Sequence, residues 1–347
     1  MNIIKFDFDD ILIEPAIESS IESRIECDVF TRASDSPSLP LITAPMDTVV
    51  SKKNAWEYSK RFITVCMPRN ENVDENLFFD YFQSFDYFQS YSLDSFFCFI
   101  SSGKVNPKGF YLIDIANGHM KKLVNIIKFT KSKYPQITLM VGNVANAQTY
   151  GELSLAGADF IRVGIGNGGG CLTTMQTGVG FPMASLIKEC YDISFTIKNP
   201  AKIVADGGMQ KYSDVIKALA LGADYVMLGS ILNKAIESCG QNYLWKYIPV
   251  NQKVAEFLFS KGFPIYKKFR GMSTKEVQKK WGNKKIKTSE GVVRIRKVEY
   301  TLNGWISNFK HYLSTAMSYT DSTTLQEFKE KSKINLISQS SLNRFNK

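Results

Sequence analysis

Eight short runs rich in β-branched and aromatic residues recur along the chain with stretches of helical spacing between them, and this alternation most restricts the fold. It predicts strands at about residues 39–44, 62–66, 96–101, 110–115, 137–142, 160–164, 202–205 and 225–228. Residues 185–191 and 212–221 carry apolar side chains at helical spacing, and Gly157 and Gly222 stand where helix C-caps would lie. Eight strand–helix units that close on one another make an α/β fold of the (β/α)8 TIM-barrel type, with its chemistry on the loops that follow the strands. A doubly wound sheet is the structural alternative. The 347 residues, 44% of them hydrophobic, suffice for a core of either size. The expectation is a single catalytic domain: a barrel over about residues 39–320, a mobile flap over about 274–295 and a C-terminal extension.

Several function classes drop out. No apolar run approaches the length of a membrane span, and the start, Met1-Asn2-Ile3-Ile4-Lys5-Phe6-Asp7, lacks the basic region and long apolar stretch of a signal peptide. A cytoplasmic protein without a membrane partner is expected. The six cysteines are scattered with no C-x-x-C pair, which suits a reduced compartment better than a disulfide frame or a zinc site. With only His119 and His311, a multi-histidine metal centre is excluded. Lys and Arg number 43 against 33 Asp and Glu, a balance that suits an anionic ligand. The densest basic run, Lys279-Lys280-Trp281-Gly282-Asn283-Lys284-Lys285-Ile286-Lys287, is not interleaved with base-stacking aromatics, so nucleic acid is not expected as a partner.

One hexapeptide is repeated in tandem: Phe79-Asp80-Tyr81-Phe82-Gln83-Ser84 is followed at once by Phe85-Asp86-Tyr87-Phe88-Gln89-Ser90. Six residues match neither a helical turn nor a solenoid period, so it reads as a duplication in an outer helix or its loop.

Glycine clusters are more informative. After the sixth predicted strand comes Gly164-Ile165-Gly166-Asn167-Gly168-Gly169-Gly170-Cys171-Leu172-Thr173-Thr174, a loop that can bend sharply and bring backbone groups against a ligand. Backbone donors without nearby acids favour the reactive thiolate of Cys171, although a small buried cysteine is the commoner finding. After the next two predicted strands stand Asp206-Gly207-Gly208 and Gly229-Ser230. In TIM barrels this pair of loops commonly forms a phosphate site, with glycine N–H groups facing the anion.

Seven stretches, in order, resemble the IMP dehydrogenase and GMP reductase family: Phe6-Asp7-Phe8-Asp9-Asp10-Ile11-Leu12-Ile13-Glu14-Pro15, Ala44-Pro45-Met46-Asp47-Thr48-Val49, Gly142-Asn143-Val144, the cysteine loop, Ala205-Asp206-Gly207-Gly208, Met227-Leu228-Gly229-Ser230 and Gly271-Met272-Ser273. The resemblance covers about residues 5–320 and is closest to the reductase. There is no room between Cys66 and Phe96 for the CBS regulatory pair usual in the dehydrogenases. Asp114-Ile115-Ala116-Asn117-Gly118 and Thr177-Gly178-Val179-Gly180 resemble the reductase loops, and the flap lacks the Arg-Tyr pair that a dehydrogenase uses to activate water.

The resemblance implies reductive deamination of GMP to IMP and ammonia, with NADPH as cofactor and a thioimidate on Cys171. Thr173 and Glu290 would handle the proton. Met46, Asp206, Gly207, Gly208, Gly229, Ser230, Gly271, Met272, Ser273, Ser289 and Gly291 would hold the purine nucleotide. Asp114, Ile115, Ala116, Met272 and Lys287 would border the cofactor, joined from a neighbouring subunit of a homotetramer by Thr315, Ala316, Met317 and Ser318. A monovalent cation such as K+ would sit on carbonyls of Gly166, Gly168 and Cys171; whether this chain binds one stays open at this level. The chain departs from the family where Gly169 replaces a phosphate-binding serine, where Met67-Pro68-Arg69 replaces a His-Lys type of dipeptide, and at Arg270, which looks like a dehydrogenase. Alternatives are an NAD-dependent IMP dehydrogenase without the CBS pair, an oxidoreductase of a related purine nucleotide or deoxynucleotide, and a degraded barrel kept for nucleotide binding or assembly.

Overall fold

A computed structural model describes residues 4–31, 37–69, 71, 87–272, 274 and 291–345. Eight parallel strands form its centre: β1 (Leu41–Thr43), β2 (Val65–Met67), β3 (Tyr87–Tyr91), β4 (Phe110–Asp114), β5 (Thr138–Val144), β6 (Phe160–Val163), β7 (Lys202–Asp206) and β8 (Tyr225–Leu228). Neighbours pair in sequence order from β2 to β8, and β8 pairs back to β1. The ring closes where the Thr43 N–H donates to the Thr64 carbonyl at 3.0 Å and the Thr64 N–H to that of Leu41 at 3.0 Å. Helices Ala55–Ser59, Leu93–Ser101, Lys121–Lys133, Ala147–Leu155, Met183–Ser194, Tyr212–Ala220 and Leu302–Tyr319 stand outside it. This is the expected (β/α)8 barrel. Gly157 and Gly222 adopt positive φ after their helices, as expected of C-caps.

The alternation of side chains along each strand builds two cores. Ile161 and Val163 of β6 point outward into the large cluster under the helices, while Phe160 faces the barrel interior with Ile42, Cys66, Phe88, Leu112, Met140 and Val204. Edge-on rings, Phe88 with Phe110 at 5.5 Å and with Phe160 at 5.3 Å, fill that interior.

The third strand is not where the sequence pattern put it. Residues 96–101 belong to the helix Leu93–Ser101, in which Leu93, Phe96 and Ile100 are buried and Ser92 Oγ caps the Ser95 N–H at 3.2 Å. A short apolar run does not by itself distinguish a strand from a buried helical face, and here the capping serine and the spacing of the buried residues decide. The true strand, Tyr87–Tyr91, lies in the second copy of the hexapeptide and continues past it by one residue. That copy is therefore barrel wall rather than outer insertion. The first copy, at residues 79–84, lies outside the described residues.

A four-stranded antiparallel sheet, unforeseen from sequence, stands beside the barrel in the order Ile248–Val250, Asn242–Leu244, Ile265–Arg270, Val293–Lys297. The fully buried Lys267 fastens it: its ammonium donates to the carbonyls of Ala235, Ile236 and Ser238 at 3.2, 2.7 and 2.6 Å. Lys267→Met keeps the length of the side chain but takes a donor from all three carbonyls; those of Ala235 and Ile236 keep donors in Ser238 and Gln252, and that of Ser238 loses its ammonium. It is expected to cost about 3 kcal/mol in urea denaturation, and unchanged stability would show the carbonyls to be satisfied otherwise.

The N-terminal strand Ile11–Glu14 pairs antiparallel with Lys333–Leu336. Buried Phe8 joins it to the barrel, its carbonyl accepting from Lys217 Nζ at 2.8 Å. No helix among the described residues is long and apolar enough to cross a membrane.

Candidate active site

The loops after the strands enclose a cavity of about 1630 Å³ at the C-terminal mouth of the barrel. A pocket for one small ligand is typically 300–1,000 Å³. The space exceeds what one small ligand needs.

Cys171 ends the glycine-rich loop after β6 and lines this cavity. Its thiol donates to Thr173 Oγ1 at 3.2 Å, and Thr173 opens the short helix Thr173–Thr177. Two contacts fix the loop. The Cys171 N–H donates to the Gly168 carbonyl at 2.9 Å, and Cys171 forms an antiparallel bridge with Gly291. The bridge is extended on both sides: the Val292 N–H donates to the Gly170 carbonyl at 3.0 Å and the Gly271 N–H to the Val292 carbonyl at 3.0 Å. The C-terminal part of the segment expected to form the flap thus docks on the cysteine loop at Gly291 and Val292, and its last residues, Val293, Arg294 and Ile295, belong to the strand Val293–Lys297. Only glycine fits at position 271, since a Cβ on Gly271 would lie 2.3 Å from the Gly170 carbonyl oxygen.

The loop after β7 approaches from the other side. Gly207 has φ +91°, and a Cβ there would meet the Gly168 nitrogen at 2.8 Å. Asp206 accepts through Oδ2 from Arg162 Nη2 at 2.7 Å and from Asn143 Nδ2 at 2.8 Å. Gly208, Gly229 and Ser230 line the same wall, with Met46 beneath Gly229.

The Arg162 side chain, 8% exposed, ties the two halves of the mouth together. Besides Asp206 it binds Asp114 Oδ1 at 2.7 Å, and Arg69 Nε holds Asp114 Oδ2 at 3.0 Å. Burial works to raise the Asp114 carboxyl, but the two guanidiniums outweigh it and hold the group below the ordinary carboxylate range. Asp114 is therefore an anion at neutral pH with its charge compensated. Arg69, which stands at the departure Met67-Pro68-Arg69, completes that compensation. Arg270 finds a partner in Asp47, with Nε 3.3 Å from Oδ1, so it anchors the end of its strand to the loop after β1.

The structure brings most of the expected residues together. Met46, Asp114, Ile115, Ala116, Gly166, Gly168, Cys171, Thr173, Asp206, Gly207, Gly208, Gly229, Ser230, Gly271 and Met272 line the one cavity, and Gly291 pairs at its edge. Ser273, Lys287, Ser289 and Glu290 lie outside the described residues, as does most of the expected flap. Thr315, Ala316, Met317 and Ser318 sit on the helix Leu302–Tyr319 and do not line this cavity. Met317 is fully buried in the core, so its side chain faces no ligand; Thr315 and Ser318 are partly exposed.

Sequence reading missed Arg162, Asn143, His119, Arg294 and Arg296, all of which line the cavity. A signal existed for Arg162: a charged residue inside the apolar strand Phe160-Ile161-Arg162-Val163 must be paired when buried. His119 Nε2 accepts the Ala145 N–H at 3.1 Å, and its Nδ1 lies 3.0 Å from Thr149 Oγ1. Burial lowers its pKa, which favours the neutral ring.

Comparison with known proteins agrees with this geometry. The family model described as "IMP dehydrogenase / GMP reductase domain" matches residues 109–345. A GMP reductase of Phytophthora infestans is 30% identical over 350 residues, covering 97% of this chain and 91% of that protein. GMP reductase 1 of Mus musculus is 33% identical, covering 69% of this chain and 72% of the relative. GMP reductase 2 of Homo sapiens is 31% identical, covering 84% and 82%.

Proposed function

Because the chain belongs to the IMP dehydrogenase / GMP reductase family, we propose that this enzyme reduces GMP to IMP and ammonia with NADPH as the electron donor. One observation carries the reading: Cys171, hydrogen-bonded to Thr173 and bridged to Gly291, stands in a cavity with room for two ligands.

In this reading the Cys171 sulfur adds to C2 of the guanine ring. The amino group leaves as ammonia, with the proton passed through Thr173 and Glu290, and C2 stays joined to sulfur as a thioimidate. A reduced nicotinamide bound alongside supplies a hydride to C2. The carbon–sulfur bond then breaks, its electron pair returns to sulfur, and IMP carries hydrogen at C2. Asp206 binds the ribose; Gly207, Gly208, Gly229 and Ser230 hold the phosphate; Met272, Ser273, Ser289 and Gly291 face the base. Asp114, Ile115, Ala116 and Lys287 hold the nicotinamide half of the site, and the room left in the cavity beyond Cys171 supports this placing. Carbonyls of Gly166, Gly168 and Cys171 would hold a monovalent cation such as K+, which would steady the cysteine loop.

The protein acts in the cytoplasm as a homotetramer in which Thr315 and Ser318 of one subunit reach a neighbour's cofactor. Their partial exposure supports this role. The test is the absorbance of the reduced nicotinamide with GMP, dGMP and IMP, each against NADPH or its oxidised form and against the NAD pair. Consumption of NADPH with GMP is expected. NADH formation from IMP and NAD would make the protein a dehydrogenase instead.

A further inference from the structure

Three cationic residues of the strand Val293–Lys297 line the cavity: Arg294, Arg296 and Lys297. Arg294 and Arg296 are two apart and share a face of the strand. Arg296 is only partly exposed, and its Cζ lies over the Phe269 ring, 4.3 Å from the centroid. Among the described residues no carboxylate lies within ion-pair distance of it. Its hydrogen bond is a long one, 3.5 Å from Nη2 to the Gly169 carbonyl. The absence of a side chain at Gly169 leaves the space beside it open. A Cβ there would stand 3.4 Å from Arg296 Nη2 and 3.9 Å from Ser230 Cβ and Oγ.

A half-buried guanidinium held by an aromatic ring, with no carboxylate among the described residues in ion-pair contact and Glu299 acting on it only from a distance, is a site for an external anion. Resting on the nucleotide reading above, we infer that Arg296 binds the 5′-phosphate of the purine nucleotide, filling with its guanidinium the space that Gly169 leaves beside Ser230. Burial first and neighbouring Arg294 second work against the charge on Arg296, with Glu299 acting the other way. A dianionic phosphate relieves that repulsion. The choice of the nucleotide's phosphate over one on the cofactor follows from position: the guanidinium bonds to Gly169, which stands beside Ser230 of the phosphate loop.

The test is calorimetric binding of GMP, guanosine and inorganic phosphate to the intact protein and to Arg296→Gln, with steady-state kinetics. Loss of one charged hydrogen-bond donor predicts GMP binding weakened about 10- to 100-fold, with guanosine affinity unchanged and KM raised more than kcat falls. Arg296→Lys is expected to recover part of the GMP affinity. Should the glutamine variant not fold, the lysine variant and the salt dependence of wild-type GMP binding against guanosine binding replace it, and equal salt dependence of the two ligands overturns the inference. Unchanged GMP affinity in Arg296→Gln, or equal losses for GMP and guanosine, also overturns it. A loss confined to NADPH relative to NADH would place the guanidinium on the cofactor and overturn it too. Wild-type protein that binds neither GMP nor IMP would instead overturn the nucleotide reading beneath it.

Discussion

Replacing Cys171 with alanine is expected to lower turnover of GMP at least about 10⁴-fold, the scale on which loss of a covalent nucleophile removes catalysis. GMP should still bind, because Asp206, Gly207, Gly229, Ser230 and the proposed Arg296 are untouched. The loop should also keep its shape, since the Cys171 N–H to Gly168 bond and the bridge to Gly291 are made by the backbone. Among the described residues the thiol contributes its bond to Thr173 Oγ1. Rapid-quench mass spectrometry would detect an adduct on Cys171 in the wild type and none in the variant. Residual turnover within tenfold of wild type would end the covalent mechanism.

Glu290→Gln should remove about 10² to 10⁴ from kcat in GMP reduction, the usual worth of a proton-transfer partner, with a smaller change in KM. Glu290 itself lies outside the described residues, but its neighbour Gly291 is bridged to Cys171. The chain therefore enters the site one residue after this carboxylate. Ammonia cannot leave efficiently without a proton, whereas hydride transfer needs none. A single-turnover measurement from IMP to the oxidised nicotinamide, which involves no ammonia, should consequently suffer less. Equal losses in both directions would reduce Glu290 to a shaping role in the pocket.

The barrel was legible because seven of its strands are short apolar runs flanked by turn residues and helical stretches, a pattern that few other folds satisfy. The third strand was not. Tyr87–Tyr91 alternates buried Phe88 and Ser90 with partly exposed neighbours, a weaker signal than the continuous run Phe96-Phe97-Cys98-Phe99-Ile100 that followed it. Continuous apolarity won the reading, yet that run belongs to a helix that buries one side only.

Sequence by itself determined which loops line the cavity. Asp206 ends a strand and Cys171, Gly207, Gly229 and Ser230 stand on loops that follow one, and the direction of a parallel barrel delivers every such loop to one mouth. The glycines were readable in part for a local reason: a positive φ, as at Gly207, disfavours a side chain whatever the rest of the chain does, although its close approach to Gly168 is set by the fold. Only the tertiary structure decided the partners of the charged groups. Arg69, Asp114, Arg162 and Asp206 come from four different strands or their ends, 137 positions separate the first from the last, and their pairing depends on barrel closure. Likewise Arg296 reaches Gly169 from a sheet that no local pattern announced. Ion pairing acts through space and leaves no period along the chain, whereas strand burial and glycine geometry act on neighbouring residues and do.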